Sequence, residues 1–262
     1  MEKAVPSRAY EPPEEVAATS LEFGRLLMEA GASAHDVEEV TSQVAFGLGA
    51  GRFDVRLGYA SLAITISNGA QTVTLMRKIG PMGVNQRLYH ALRVLASQIQ
   101  RDSYTCSTAR TELNRVLHAS PRHPEWVVAI AVGVACAAFG RLLAVDWSAL
   151  IPIFTASFVA QLVRSRLGAK HVNVFLSAFL VSFIGAALAG FGSRLVGSAT
   201  LALDMVVTVL LLVPGVPAFI AQLDILQGRP TLGSARTIWV VMILIYMTAG
   251  VWVAQGVLRV GR

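Results

Sequence analysis

Apolar positions in the first fifty residues recur at helical spacing. Val16, Phe23, Leu26, Leu27 and Ala30 share one face of a helix predicted from Glu14 to Ala30, with Gly31 as its C-terminal stop. Ser33 followed by Asp36 reads as an N-cap with an acidic first turn, opening a second helix on Val37, Val40, Val44 and Leu48. Gly47, Gly49 and Gly51 end it. The period then falls to two. Phe53, Val55 and Leu57 alternate with Asp54 and Arg56, then Leu62, Ile64 and Ile66 with Ala63 and Thr65, then Val73 and Leu75 with threonines. Asn68-Gly69 between the last two runs predicts a tight hairpin turn using both residues. Gly80-Pro81 closes the strands. Leu88, Leu92, Leu95 and Ile99 mark a third helix, and Ala109, Leu113, Val116 and Leu117 a fourth. Pro121 and Pro124 then form a hinge.

Beyond that hinge the polar positions nearly vanish. A bilayer span needs about 20 predominantly apolar residues. Trp126 to Val145, Trp147 to Val163, His171 to Ser193, Leu195 to Leu223 and Thr237 to Leu258 each approach or meet that length, which predicts about five spans. The fold class expected is therefore a membrane protein: a small cytoplasmic α+β domain followed by an α-helical bundle of transmembrane spans. The division is a disordered tail over 1–13, the α+β domain over 14–124 and the transmembrane domain over 125–262. The Pro/Glu-rich N-terminus has no apolar core of the kind a cleaved signal peptide carries.

Composition agrees: 54% of the residues are hydrophobic and 15% charged, against about 25% charged in soluble domains. The net charge of +6 is confined to the second half, because residues 1–125 hold 13 basic and 13 acidic side chains. A basic excess lying between apolar segments sets topology, and it argues against a nucleic-acid partner. Arg110, Arg115 and Arg122, then Arg164, Arg166 and Lys170, then Arg229 and Arg236 fall on one side of the expected spans, which places the N-terminal domain in the cytoplasm.

Candidate chemistry is sparse. Cys106 and Cys136 have no CxxC spacing, and His35 with Glu39 offers only two ligands on a helix face, so no metal or cofactor is expected. No catalytic group is assigned, since the spans carry no Ser/His pair, paired aspartates or HExxH. The fourth expected span is the informative one. Pro214, Gly215 and Pro217 remove two backbone donors at membrane depth, which predicts either a break lining a polar path or a kink needed only for packing. Asp204 is either a cavity-facing carboxylate able to carry a proton or an interfacial residue capping the span. Asn173, Gln161 and Gln222 are further candidates for lining such a path, or else helix–helix hydrogen bonders. Asp224 is expected to pair with Arg229 or Arg236.

Leu26-Leu27-Met28-Glu29-Ala30-Gly31-Ala32, then Asp36-Val37-Glu38-Glu39, resembles the opening motif of the threonine/serine exporter family. Val213-Pro214-Gly215-Val216-Pro217, with Asp224 and Gly228 following, is similar to that family's N-terminal module, and the likeness runs over roughly residues 15–258. The resemblance is to the split form, as in two-component succinate exporters, in which a second small membrane subunit of about five spans completes the transporter. It implies proton-driven efflux of a small polar or anionic metabolite, an amino acid such as threonine or serine or a dicarboxylate such as succinate. The expected setting is the bacterial inner membrane, with a homo-oligomer or a hetero-complex as the working unit. The competing reading is a membrane-anchored regulatory or assembly subunit with no transport path of its own.

Overall fold

The computed structural model describes residues 11–69, 71–119 and 123–260. Residues 1–10 of the expected tail and Pro121 of the expected hinge lie outside those described. The chain divides into two compact units, one comprising residues 1–121 and 216–237, the other 122–215 and 238–262.

In the first unit, α1 (Pro13–Glu29) begins on a proline, whose missing N–H is harmless in a first turn, and carries Glu14 and Glu15 at its positive end. Residues 11–13, assigned to the tail by sequence, lead directly into it. Ser33 caps α2 (Ala34–Gly47): its hydroxyl accepts the Asp36 N–H at 3.1 Å and donates to the Asp36 carboxylate at 2.7 Å. Strands β1 (Arg52–Leu57), β2 (Ser61–Asn68) and β3 (Gln71–Lys78) form one antiparallel sheet in that order. Val55, Ile64 and Leu75 stand in register across it. Helices α3 (Gln86–Arg101) and α4 (Cys106–His118) complete the layer. Leu62, Ile64 and Ile66 on the inner face of β2 are fully buried with Val16, Phe23, Leu27, Val37, Val44 and Ile99, so helices cover one face of the sheet and solvent meets the other. Gly24 marks the close approach: a Cβ there would sit 2.5 Å from Leu62 Cδ2.

The hairpin turn differs from the sequence expectation by one residue. Asn68 pairs with Gln71 as the last residue of β2, and Gly69 alone of the expected pair takes positive φ, at 62°. The cause is the Asn68 side chain, whose Oδ1 accepts the Gly51 N–H at the start of β1. That bond holds Asn68 extended.

The second unit is helical: α5 (Glu125–Leu142), α6 (Leu150–Ala169), α7 (Val174–Leu195) and α8 (Leu201–Val209). Two further helices, α9 (Gly215–Leu226) and α10 (Pro230–Val257), follow along the chain. Residues 216–237, expected in the transmembrane domain, group with the N-terminal unit, and the rest of α10 groups with the second. Among the described residues four helices are long and apolar enough to cross a membrane: Glu125–Leu142, Trp147–Ala169, Val174–Leu195 and Pro230–Val257. Against an expectation of about five spans, four of the stretches form such helices. The expected fourth is replaced by α8 and α9, of 9 and 12 residues, and at 1.5 Å per residue neither reaches the roughly 30 Å of a hydrocarbon core.

Glycines let the long helices pack closely. A Cβ on Gly133 of α5 would lie 3.0 Å from the Phe154 carbonyl of α6, and one on Gly250 of α10 would lie 2.5 Å from the Phe179 carbonyl of α7. Without a hydrophobic force between helices in lipid, such close backbone approach is the main source of cohesion.

Candidate functional site

The interruption after α8 follows from local chemistry. A 3₁₀ turn over Leu210–Leu212 ends on Val213, whose N–H reaches the Leu210 carbonyl at 3.1 Å. Pro214 has no N–H to continue the ladder, and Gly215 N–H closes instead on the Val213 carbonyl at 2.8 Å. The helix resumes at Gly215, which puts Pro217 in a first turn, where a missing N–H leaves nothing unsatisfied. The two prolines thus play different parts: Pro214 stops one helix and Pro217 is tolerated inside the next.

The carbonyl of Thr208, close to the end of α8, is taken up by protein. It accepts the Ser157 hydroxyl of α6 at 3.1 Å and the Cys136 thiol of α5 at 3.6 Å. Asp204 lies one turn earlier, in the first turn of α8, and is fully buried. Ser198 Oγ donates to its Oδ2 at 2.7 Å and Thr200 Oγ1 donates to its Oδ1 at 2.8 Å. Those hydroxyls are held in turn by backbone donors: the Thr200 N–H reaches Ser198 Oγ and the Asp146 N–H reaches Thr200 Oγ1, both at 3.2 Å. The Asp146 carboxylate accepts the Ala199 N–H at 2.7 Å. Asp204 therefore sits among oriented hydroxyl dipoles, with no ion pair to it among the described residues.

The other predicted residues are dispersed. Asn173 is exposed and N-caps α7, its Oδ1 accepting the N–H groups of Phe175 and Leu176 at 2.9 and 3.3 Å. Gln161 is half-buried on α6, and Gln222 is exposed on α9. Pro214 and Pro217 are half-buried, and Gly215 is exposed with open space where a Cβ would be. Among the described residues no hydrogen bond joins any two of these seven.

A second polar centre, within the first unit, was only half legible. Asp224 on α9 and Arg236 on α10 form a buried ion pair, with Nη1 donating to Oδ2 at 2.5 Å. The sequence left Arg229 and Arg236 as alternatives, and the structure assigns Asp224 to Arg236, while Arg229 pairs with Glu38 of α2. The second oxygen of Asp224 accepts the N–H of Ala34 at 2.8 Å. Ala34 opens α2 at its positive end, and the Ser33 cap is already engaged by the Asp36 N–H, so the Asp224 carboxylate satisfies a first-turn donor that local residues leave open. Arg236 Nη2 reaches the Ala32 carbonyl at 3.3 Å and the Met82 sulfur at 3.7 Å, while Nε is buried with no partner among the described residues. Nothing local in the sequence announces a bond spanning 190 residues; the only signals are two ionisable groups at the edge of apolar segments.

The paired charges elsewhere are ordinary surface chemistry. Arg77 reaches Glu22 at 3.2 Å, and Arg93 approaches Asp36 and Glu39 at 3.6 and 3.7 Å, which accounts for the acidic face of α2 without a metal. Glu11, Glu15 and Cys106 bring three ligand-type atoms within 4.8 Å of one another. There, burial first and the Glu11 carboxylate second push the Cys106 thiol up to about 12.

A profile of the threonine/serine exporter family matches residues 18–258. A protein of Escherichia coli K12 named "Probable succinate transporter subunit YjjP" is 25% identical over 236 residues, covering 90% of this chain and 91% of that protein. A protein of the same name from Klebsiella aerogenes is 24% identical over 230 residues, covering 87% and 88%. An uncharacterised protein of Haemophilus influenzae is 22% identical over 122 residues, covering 47% and 40%. No solved structure matches. With apolar helices long enough to span a bilayer and a family match over nearly its whole length, this membrane chain belongs to the threonine/serine exporter family.

Proposed function

We propose that the chain is one subunit of a proton-coupled exporter in the bacterial inner membrane, moving a small carboxylate-bearing metabolite out of the cell. The candidates are amino acids such as threonine and serine and dicarboxylates such as succinate. The N-terminal α+β region faces the cytoplasm, and a second small membrane subunit completes the path. The family supports the amino-acid class, and the name of the two full-length relatives supports both the dicarboxylate class and the need for a partner.

The observation that carries the reading is Asp204. A fully buried carboxylate among apolar helices is costly, and such groups commonly mark ion or proton pathways. Its partners are the Ser198 and Thr200 hydroxyls, which can re-orient to serve either protonation state. The helix interruption at Val213–Gly215 follows two turns later, and interrupted helices form solute sites in several transporter architectures.

Metabolite analysis of culture medium with and without the gene identifies the solute. Asp204→Asn keeps the size of the side chain and removes its charge change. It is expected to reduce efflux at least tenfold while the protein still inserts in the membrane. Undiminished efflux from Asp204→Asn and from Pro214→Ala would refute these roles and favour a membrane-anchored regulatory subunit.

A further inference from the structure

We propose that the Nε–Nη2 edge of Arg236 is a carboxylate-binding subsite for the exported solute, covered in this structure by the Met82 thioether; this rests on the reading of the chain as an exporter of carboxylates. A guanidinium presents five N–H donors in a rigid fork, and its side-on edge matches a carboxylate with two parallel bonds. Asp224 does not use that edge. It takes Nη1 with one oxygen and the Ala34 N–H with the other, so it fixes the guanidinium from one side and makes no bond to the opposite edge.

What that edge meets is poor. Nε has no acceptor among the described residues although it is buried, and a buried donor without a partner is uncommon enough in a folded protein to require an explanation. Nη2 has a carbonyl at 3.3 Å and a sulfur at 3.7 Å, and a thioether is a weak acceptor. An incoming carboxylate would exchange that contact for two charge-assisted bonds.

Met82 is placed to leave. It lies in a segment without regular structure between β3 and α3, and its neighbours Pro81, Gly83 and Val84 are exposed. The segment is tied at both ends to the end of α1: Gly80 N–H to the Glu29 carboxylate at 2.8 Å, Gly83 N–H to the Glu29 carbonyl at 2.9 Å, and Asn85 N–H to the Ala30 carbonyl at 3.0 Å. Met82 stands between those ties on an unbranched, adaptable side chain. Tyr59, partly exposed on the turn between β1 and β2, lies within electrostatic reach of Arg236. Asp224 sets the strength of the site. Its charge already balances Arg236, so a second carboxylate is held loosely enough to be released.

The test uses the full-length chain purified in lipid nanodiscs, titrated with succinate and with its neutral diamide and followed by binding heat and thermal stability. Succinate is expected to bind and stabilise, and the diamide is not. Met82→Ala should tighten succinate binding several-fold. Arg236→Lys, which keeps the charge and loses the Nε edge, should weaken it at least tenfold. Equal responses to acid and diamide, or unchanged binding in Arg236→Lys, would overturn the proposal. If Arg236→Lys does not fold, Met82→Ala decides, and the absence of acid-selective tightening there overturns it. Export by the wild type without acid-selective binding defeats this subsite alone. Binding that depends on Arg236, in a chain that exports nothing with or without its partner, leaves the subsite standing and defeats the transport reading.

Discussion

Replacing Arg236 by alanine leaves the Asp224 carboxylate fully buried with one backbone N–H as its remaining donor. Breaking a buried pair by removing one partner typically costs about 3–5 kcal/mol, because the survivor's desolvation is no longer offset. The Arg236 side chain is 6% exposed and that of Asp224 is 0%, so solvent cannot screen the loss. The neighbouring Arg229–Glu38 pair, at 35% and 41% exposure, should contribute no more than about 1 kcal/mol. Arg236→Ala is therefore expected to lower the unfolding midpoint by on the order of 10 °C, and Arg229→Ala by far less. Asp224→Ala should be as damaging as Arg236→Ala, since it strands the guanidinium and removes the acceptor of the Ala34 N–H. A double variant, Asp224→Ala with Arg236→Ala, removes both charges and should cost much less than the two singles together. The assay is a double-mutant cycle by thermal unfolding in detergent, read by far-ultraviolet circular dichroism. Additive single effects, or a loss below about 1 kcal/mol for Arg236→Ala, would refute the claim that this pair is desolvated and coupled.

Two further outcomes follow from contacts in each unit. Gly250→Ala should destabilise the packing of α7 on α10 by about 1–3 kcal/mol, because its Cβ must displace the Phe179 carbonyl, whereas Gly256→Ala on the same helix meets nothing and should be neutral or mildly stabilising; equal unfolding midpoints for the two would contradict the close approach. With its pKa pushed up from 9.0 to about 12, the Cys106 thiol should alkylate with iodoacetamide at pH 8 about a thousandfold more slowly than in the unfolded chain, measured in a Cys136→Ala background. The sign for stability follows from the same shift. The unfolded chain loses that proton first, so the contribution of the neutral thiol is complete below about pH 9 and disappears as pH rises towards 12.

Elements with a strong local period were legible in the sequence. The buried stripe of α1, the Ser33 cap of α2 and the alternation of β2 each depend on residues within a few positions of one another, so one sequence carries the whole signal. The hairpin turn shows where that ends. Asn68 and Gly69 both suit a tight turn locally, but a bond from the Asn68 side chain to Gly51, 17 residues away, decides between two placements one residue apart. The division of the expected fourth span has a related cause. Hydropathy measures only how apolar a stretch is, and Leu195 to Leu223 is apolar apart from Asp204; it is Pro214, by ending the hydrogen-bond ladder, that divides the stretch into helices too short to span alone.

The two buried aspartates Asp204 and Asp224 show why the candidate sites were harder to read than the fold. Asp204 and Asp224 are twenty residues apart and both flanked by apolar side chains. The fold gives them opposite solutions. Asp204 is held by two hydroxyls from the six residues before it, a cluster that Ser198 and Thr200 do foreshadow in sequence. Asp224 is held by a guanidinium twelve residues on and a helix-opening amide 190 residues back, which only the folded chain brings together. A carboxylate held by neutral hydroxyls can gain or lose a proton without stranding a partner charge, whereas one bound to arginine cannot. On that physical difference rests the proposal that Asp204, and not Asp224, carries the coupling proton, with solute recognition proposed beside Arg236.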